Sequence, residues 1–188
     1  MRNGERRAFA DVIAAVAAFW FAIFFAVNLA SGASEQTSKN VDPNFITIGA
    51  GGFDVNDNET AGQFEVQVRL NTRLGIFKPQ VGMFFTTAAG FYAYLGIMAD
   101  IFLGSSFAIS PSFAAGVNHE GEGKELGGSL EFRSAIELAY RFEDRSRLGI
   151  QVGHLSNAGI YAENPGTEFA ILNYSVPTRV FSRLHTKV

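Results

Sequence analysis

The amino-acid sequence predicts an all-β protein, an eight-stranded antiparallel outer-membrane β-barrel preceded by a signal peptide. Three observations lead there. From Asn44 onward the apolar residues recur with a period of two, and no stretch carries the 3.6-residue period of an amphipathic helix. The composition joins 19 Phe, 5 Tyr and 20 Gly to a hydrophobic fraction of 47%, richer in aromatics and glycine than an ordinary soluble domain and suited to a sheet that faces lipid. Finally, Arg2, Arg6 and Arg7 precede an unbroken apolar run from Val12 to Val27, and Ser31-Gly32-Ala33 follows as a small-x-small cleavage site.

The N-terminal segment is read as a signal peptide over 1–33, followed by a polar lead-in over 34–43. A retained anchor helix is the competing reading, and the apolar run falls short of the ~20 residues a span needs. Trp20 would leave with the signal. The barrel is placed at 44–175 and a C-terminal tail at 176–188.

Within the barrel each strand follows from its alternation. Ile46, Ile48 and Ala50 mark the first; Phe64, Val66, Val68 and Leu70, set between Glu65, Gln67 and Arg69, mark the second. Phe77, Val81, Met83 and Phe85 oppose Lys78, Gln80 and Gly82 in the third. The fourth, over 91–102, is apolar on both parities, with Gly96 and Asp100 indicating the inner side. Phe107, Ile109, Phe113 and Val117 oppose Ser106, Ser110, Ser112 and Gly116 in the fifth. The sixth sets Leu130, Phe132, Ile136, Leu138, Tyr140 and Phe142 against Glu131, Arg133, Glu137 and Arg141, read as charge pairs filling a narrow lumen. Leu148, Ile150 and Val152 carry the seventh, and the eighth runs over 167–175.

Alternation alone also fits an exported β-sandwich, but the export signal and the loop lengths favour a closed barrel, which leaves no backbone group unpaired in lipid. Long polar connections at 53–61, 119–127 and 159–166 fall outside, short ones at 71–75, 104–105 and 143–146 fall inside, and 87–90 is a short external turn. Pro79 and Pro111 each remove a ladder donor and belong near strand ends or bulges.

The charge balance, 15 basic against 18 acidic residues, gives no surface for nucleic acid. The lack of cysteine excludes thiol chemistry, disulfides and Cys-ligated metal. His119 stands among Glu120, Glu122 and Glu125, read as an acidic external loop and not as a cation site.

The chemistry concentrates in 151–168. His154 and Ser156 are two apart and share a strand face; Glu168 returns on the next strand, on the same face if the loop keeps an even register. These are the nucleophile, base and orienter of acyl transfer. Both strand residues continue the parity of Leu148, Ile150 and Val152, so the set points to lipid, where idle polar groups are disfavoured. Glu163 is a rival carboxylate, more exposed to solvent in its loop.

His154-x-Ser156-Asn157 followed by Asn164-Pro165-Gly166 and Glu168 resembles the motif of PagL-type lipid A 3-O-deacylases, which are eight-stranded outer-membrane barrels. The resemblance implies hydrolysis of the 3-O-linked acyl chain of lipid A, with Ser156 as nucleophile, His154 as base and Glu168 as orienter. It further implies that Asn157 and Asn164 help form the oxyanion hole, that no metal or other cofactor is needed, and that lipopolysaccharide in the outer leaflet is the partner. The tail over 176–188 departs from the aromatic strand end usual in such barrels. A homodimer is compatible with this reading. The alternative is a non-enzymatic barrel serving adhesion or envelope integrity.

Overall fold

A computed structural model describes residues 42–57, 60–72 and 74–178. The signal peptide, most of the lead-in and the end of the tail lie outside the described residues. The elements are β1 (Phe45–Phe53), β2 (Ala61–Arg69), β3 (Lys78–Thr86), β4 (Phe91–Met98), β5 (Ile101–Leu103), β6 (Phe107–His119), β7 (Leu130–Arg141), β8 (Arg147–Ser156) and β9 (Thr167–Pro177). All pairings are antiparallel. β1 pairs with both β2 and β9, and β6 pairs with both β7 and β4, which closes the sheet.

β4 and β5 together are the fourth strand of an eight-stranded barrel. The sequence predicts one continuous strand over 91–102; the structure interrupts it at Ala99 and Asp100. Register is unbroken, since Met98 pairs with Ser112 and Ile101 with Ile109. Pro111 lies between these partners and has no N–H to give the facing strand, so only the Ala99 N–H to Pro111 carbonyl bond remains there, at 3.0 Å. Pro79 is the second residue of β3, where a missing donor is tolerated.

The alternation sorts the two faces as the sequence predicts. Leu95, Ile150 and Phe64 are 67%, 62% and 61% exposed, within an outer wall of aliphatic and aromatic side chains. That wall is stable only against lipid, because so large an apolar surface would not persist in water. The inner face of the same strands carries Gln63, Glu65, Gln67 and Arg69 from β2 and Arg133 and Glu137 from β7, all buried.

The opposite charges of the lumen pair across the barrel, while Glu65 and Arg69 also bond along β2 to Gln63 and Gln67. Arg69 donates two hydrogen bonds of 2.7 Å to Glu137, which also accepts from Asn173 Nδ2 at 2.6 Å. Arg133 lies 3.2 Å from Glu65 and stacks over Phe169 at 4.3 Å. Nearer the short-turn rim, Arg147 bridges Asp42 and Asp100, while Arg141 reaches Asp42 and Lys78 reaches Asp100. Asp42 was assigned to the lead-in, yet it is buried in the barrel end, so the packed body begins before Asn44. β9 likewise extends to Pro177, past the predicted end at Ser175. Toward the long-loop rim the filling turns apolar, with Phe53, Phe84, Tyr92, Leu126, Leu155 and Phe169 capping the polar interior. The lumen is a packed core, as a barrel of this strand number allows.

The long connections 54–60, 120–129 and 157–166 gather at one rim, with the short turn 87–90. The opposite rim has 70–77, 104–106 and 142–146. β8 ends and β9 begins at the long-loop rim, which sets the depth of the candidate site.

Candidate active site

The site is built on the last turn of the ladder between β8 and β9. His154 stands directly opposite Glu168 in register, so their side chains rise from adjacent positions on one face. That face is the outer one, shared with Leu148, Ile150 and Val152 on β8 and Leu172 and Tyr174 on β9. His154 Nδ1 lies 3.1 Å from Glu168 Oε1, and the two side chains are 44% and 43% exposed. A carboxylate can only accept, so the proton of this bond sits on Nδ1 and the lone pair on Nε2. The imidazole is thereby turned with its basic nitrogen away from Glu168.

Gly166 supports the other edge of the ring. A Cβ on this residue would stand 2.7 Å from His154 Cε1 and 3.1 Å from Nε2, and the backbone there has φ of 64°, which disfavours any side chain. Gly166→Ala is therefore expected to displace the ring and, with His154 as the base that the sequence suggests, to lower kcat by about 10²-fold, the order set by an ångström-scale misplacement of such a group. Esterase kinetics on a folded, heat-modifiable barrel check it; wild-type kcat in the variant would show that the ring needs no such support.

Ser156 ends β8 on the same face as His154. It pairs with Phe132 of β7, which stacks on Phe113 of β6 with ring centroids 5.9 Å apart and planes at 14°. An aromatic shelf thus lies beside the hydroxyl.

The chain after Ser156 turns sharply. Ala158 and Gly159 take φ of 55° and 76°, and the Ile160 N–H donates to the Asn157 carbonyl at 3.1 Å, a type I′ turn that holds a non-glycine residue in the left-handed region. Asn157 is fully buried and stitches loops together: its Nδ2 donates to the carbonyls of Leu126 at 2.9 Å and Glu163 at 2.8 Å, and its Oδ1 accepts the Gly159 N–H at 3.0 Å. Both donors of its carboxamide are used, so this side chain has none to spare for an oxyanion. The Asn157 N–H itself donates to Asn164 Oδ1 at 3.0 Å.

Glu163 is exposed and its backbone carbonyl accepts the Asn157 carboxamide, whereas the carboxylate that meets His154 is that of Glu168. His119 is the last residue of β6 and exposed; Glu120 next to it accepts the Leu126 N–H at 2.8 Å, as an acidic loop organising its own backbone.

A family model described as lipid A 3-O-deacylase (PagL) matches residues 76–177, more than half of the chain. The chain belongs to the PagL family. A lipid A deacylase PagL of Bordetella bronchiseptica is 32% identical over 89 residues, covering 47% of this chain and 42% of that protein, so the match spans less than half of the relative's length. The crystal structure of the outer membrane enzyme PagL superposes with a TM-score of 0.57 at 18% identity, covering 71% of this chain and 99% of that one. A de novo designed transmembrane β-barrel gives a TM-score of 0.50 at 13% identity, covering 73% and 98%. The structural likenesses show the fold, an outer-membrane barrel.

The PagL family match contains His154, Ser156, Asn157, Asn164 and Glu168. One residue of the same neighbourhood was missed by sequence reasoning. Ser134 of β7 pairs with His154 from the side opposite Glu168. Its signal was present: Ser134 breaks the stripe Leu130, Phe132, Ile136, Leu138, Tyr140. Gly166 was noted only as part of the motif, because its contact with the ring depends on how the loop closes.

Proposed function

We propose that this chain is an outer-membrane esterase that hydrolyses the 3-O-linked acyl chain of lipid A, with Ser156 as nucleophile, His154 as general base and Glu168 as its orienter. One observation carries the reading. Among the described strand residues on the outer face, the polar side chains other than tyrosine are Ser134, His154, Ser156 and Glu168, which adjoin one another, and His119 at the rim. Polar groups on a lipid-facing wall are costly, and their gathering at one spot beside a histidine–carboxylate pair is the arrangement an acyl-transfer site needs.

In the reaction, Ser156 Oγ attacks the acyl carbonyl carbon while His154 Nε2 takes its proton. The tetrahedral oxyanion accepts the Asn157 backbone N–H in place of Asn164 Oδ1, with the Asn164 carboxamide at hand as a second donor. Collapse expels the sugar oxygen, which takes the proton from His154. Water, deprotonated by the same nitrogen, then releases the fatty acid and restores Ser156. This sequence uses no metal or cofactor, and every group comes from one chain, so it does not depend on a homodimer. Lipopolysaccharide presents its ester from the side, at the depth where β8 ends. A non-enzymatic barrel would leave the outer-wall cluster without a purpose.

Mass spectrometry of lipid A from cells producing the wild-type chain or Ser156→Ala tests this. The wild type is expected to yield lipid A lighter by one acyl chain; equal masses in the two strains would argue for the non-enzymatic alternative.

A further inference from the structure

The outer face of β7 reads Leu130, Phe132, Ser134, Ile136, Leu138 and Tyr140. Ser134 is half-buried and stands opposite His154, which stands opposite Glu168, so the three form one row across β7, β8 and β9. Phe132 and Ser156 form the next row toward the long-loop rim. Residues directly opposite on one face lie about 4.5–5.5 Å apart at Cβ and diagonal ones about 7–8 Å apart. Ser134 is therefore the diagonal neighbour of the nucleophile, one row deeper in the membrane.

The substrate must be an amphiphile lying across these rows. Its polar part belongs at the rim and its acyl chain belongs with the apolar wall, so from the carbonyl at Ser156 the chain runs toward Val152, Ile136 and the bilayer centre. The first carbons of the chain beyond the carbonyl pass the row of Ser134 and His154. There His154 Nδ1 is already paired with Glu168, and Nε2 is the nitrogen that serves Ser156. Phe113, the register partner of Ser134 on β6, and Phe132 flank its other side and keep water away. A hydroxyl in such a place is costly unless it has a polar partner, and an unsubstituted hydrocarbon offers none.

We propose that Ser134 is a specificity-determining residue that hydrogen-bonds a hydroxyl group carried by the acyl chain within its first few carbons, making the enzyme selective for hydroxyacyl over unsubstituted acyl esters. This rests on the esterase reading above. Ser134 acts on the chain being removed and takes no part in proton transfer.

The test uses the full chain in detergent micelles with two p-nitrophenyl esters of equal chain length, one bearing a 3-hydroxyl and one without. Wild-type kcat/KM is expected to favour the hydroxyacyl ester about tenfold, the order of one hydrogen bond. Ser134→Ala should bring the ratio toward one, and Ser134→Thr, which keeps the hydroxyl, should restore it. A merely structural serine would change both esters alike and leave the ratio where it was. A wild-type ratio near one, or a ratio that survives in Ser134→Ala, overturns the proposal. Hydrolysis of neither ester by the wild type, or equal hydrolysis by Ser156→Ala, sinks the esterase reading and the proposal with it.

Discussion

Ser156→Ala and His154→Ala are each expected to lower kcat by about 10⁴–10⁶-fold, and the double variant to lower it hardly further. In the proposed reaction nucleophile and base act as a unit: without the hydroxyl there is nothing for Nε2 to deprotonate, and without Nε2 the hydroxyl is a poor nucleophile at neutral pH. Glu168→Gln removes the acceptor at 3.1 Å from Nδ1 and allows the ring to carry its proton on Nε2 instead. Its expected loss is up to about 10⁴-fold, the order seen when an orienting carboxylate becomes an amide, with less loss here because the pair is half exposed. All four proteins should keep the heat-modifiable folded form, since the site lies on the outer wall and not in the packed lumen. Initial rates on a soluble ester read the result. Additive losses in the double variant would mean that Ser156 and His154 do not work on the same proton.

The second large effect concerns stability. Arg69 and Glu137 face each other across the lumen at 2.7 Å with side chains 3% and 1% exposed. Removing one charge strands the other in a dry interior. Arg69→Met is expected to destabilise the barrel by about 3–5 kcal/mol, whereas Arg69→Met combined with Glu137→Leu should recover much of that loss, because apolar groups of similar volume need no partner. Asn173 Nδ2, which donates to Glu137, limits the recovery by losing its own acceptor. Equilibrium urea unfolding of the reconstituted barrel, followed by intrinsic fluorescence or by gel mobility, measures the cycle. If the double variant were no more stable than the single one, the pair would be stabilising beyond the cost of its burial.

Much of this molecule is legible in the residues alone, for a physical reason. A strand's period of two is local, so Leu148, Ile150, Val152 and His154 share a face whatever the rest of the chain does. The site followed from the same rule: His154 and Ser156 could be placed on the outer wall from parity, and Glu168 beside them from an even register. What parity cannot give is the partner on a neighbouring strand. That is why the lumen charges were legible as inward but not as cross-barrel pairs, with Arg69 on Glu137 and Arg133 on Glu65. It is also why Ser134 went unnoticed, since only the pairing of β7 with β8 puts it next to His154.

The sequence by itself determined the class of fold, the two faces of the wall and the identity of the polar residues that lie on its lipid side, because alternation and composition act over neighbouring residues. Tertiary structure decided the rest. It split the fourth strand where Pro111 lacks a donor, drew Asp42 into the barrel end, and committed the Asn157 carboxamide to loop carbonyls. It also set Gly166 against the His154 ring. Each of these depends on closure of the sheet and on how the rim loops settle over it, which brings together residues far apart in the chain and satisfies groups that no local pattern could assign.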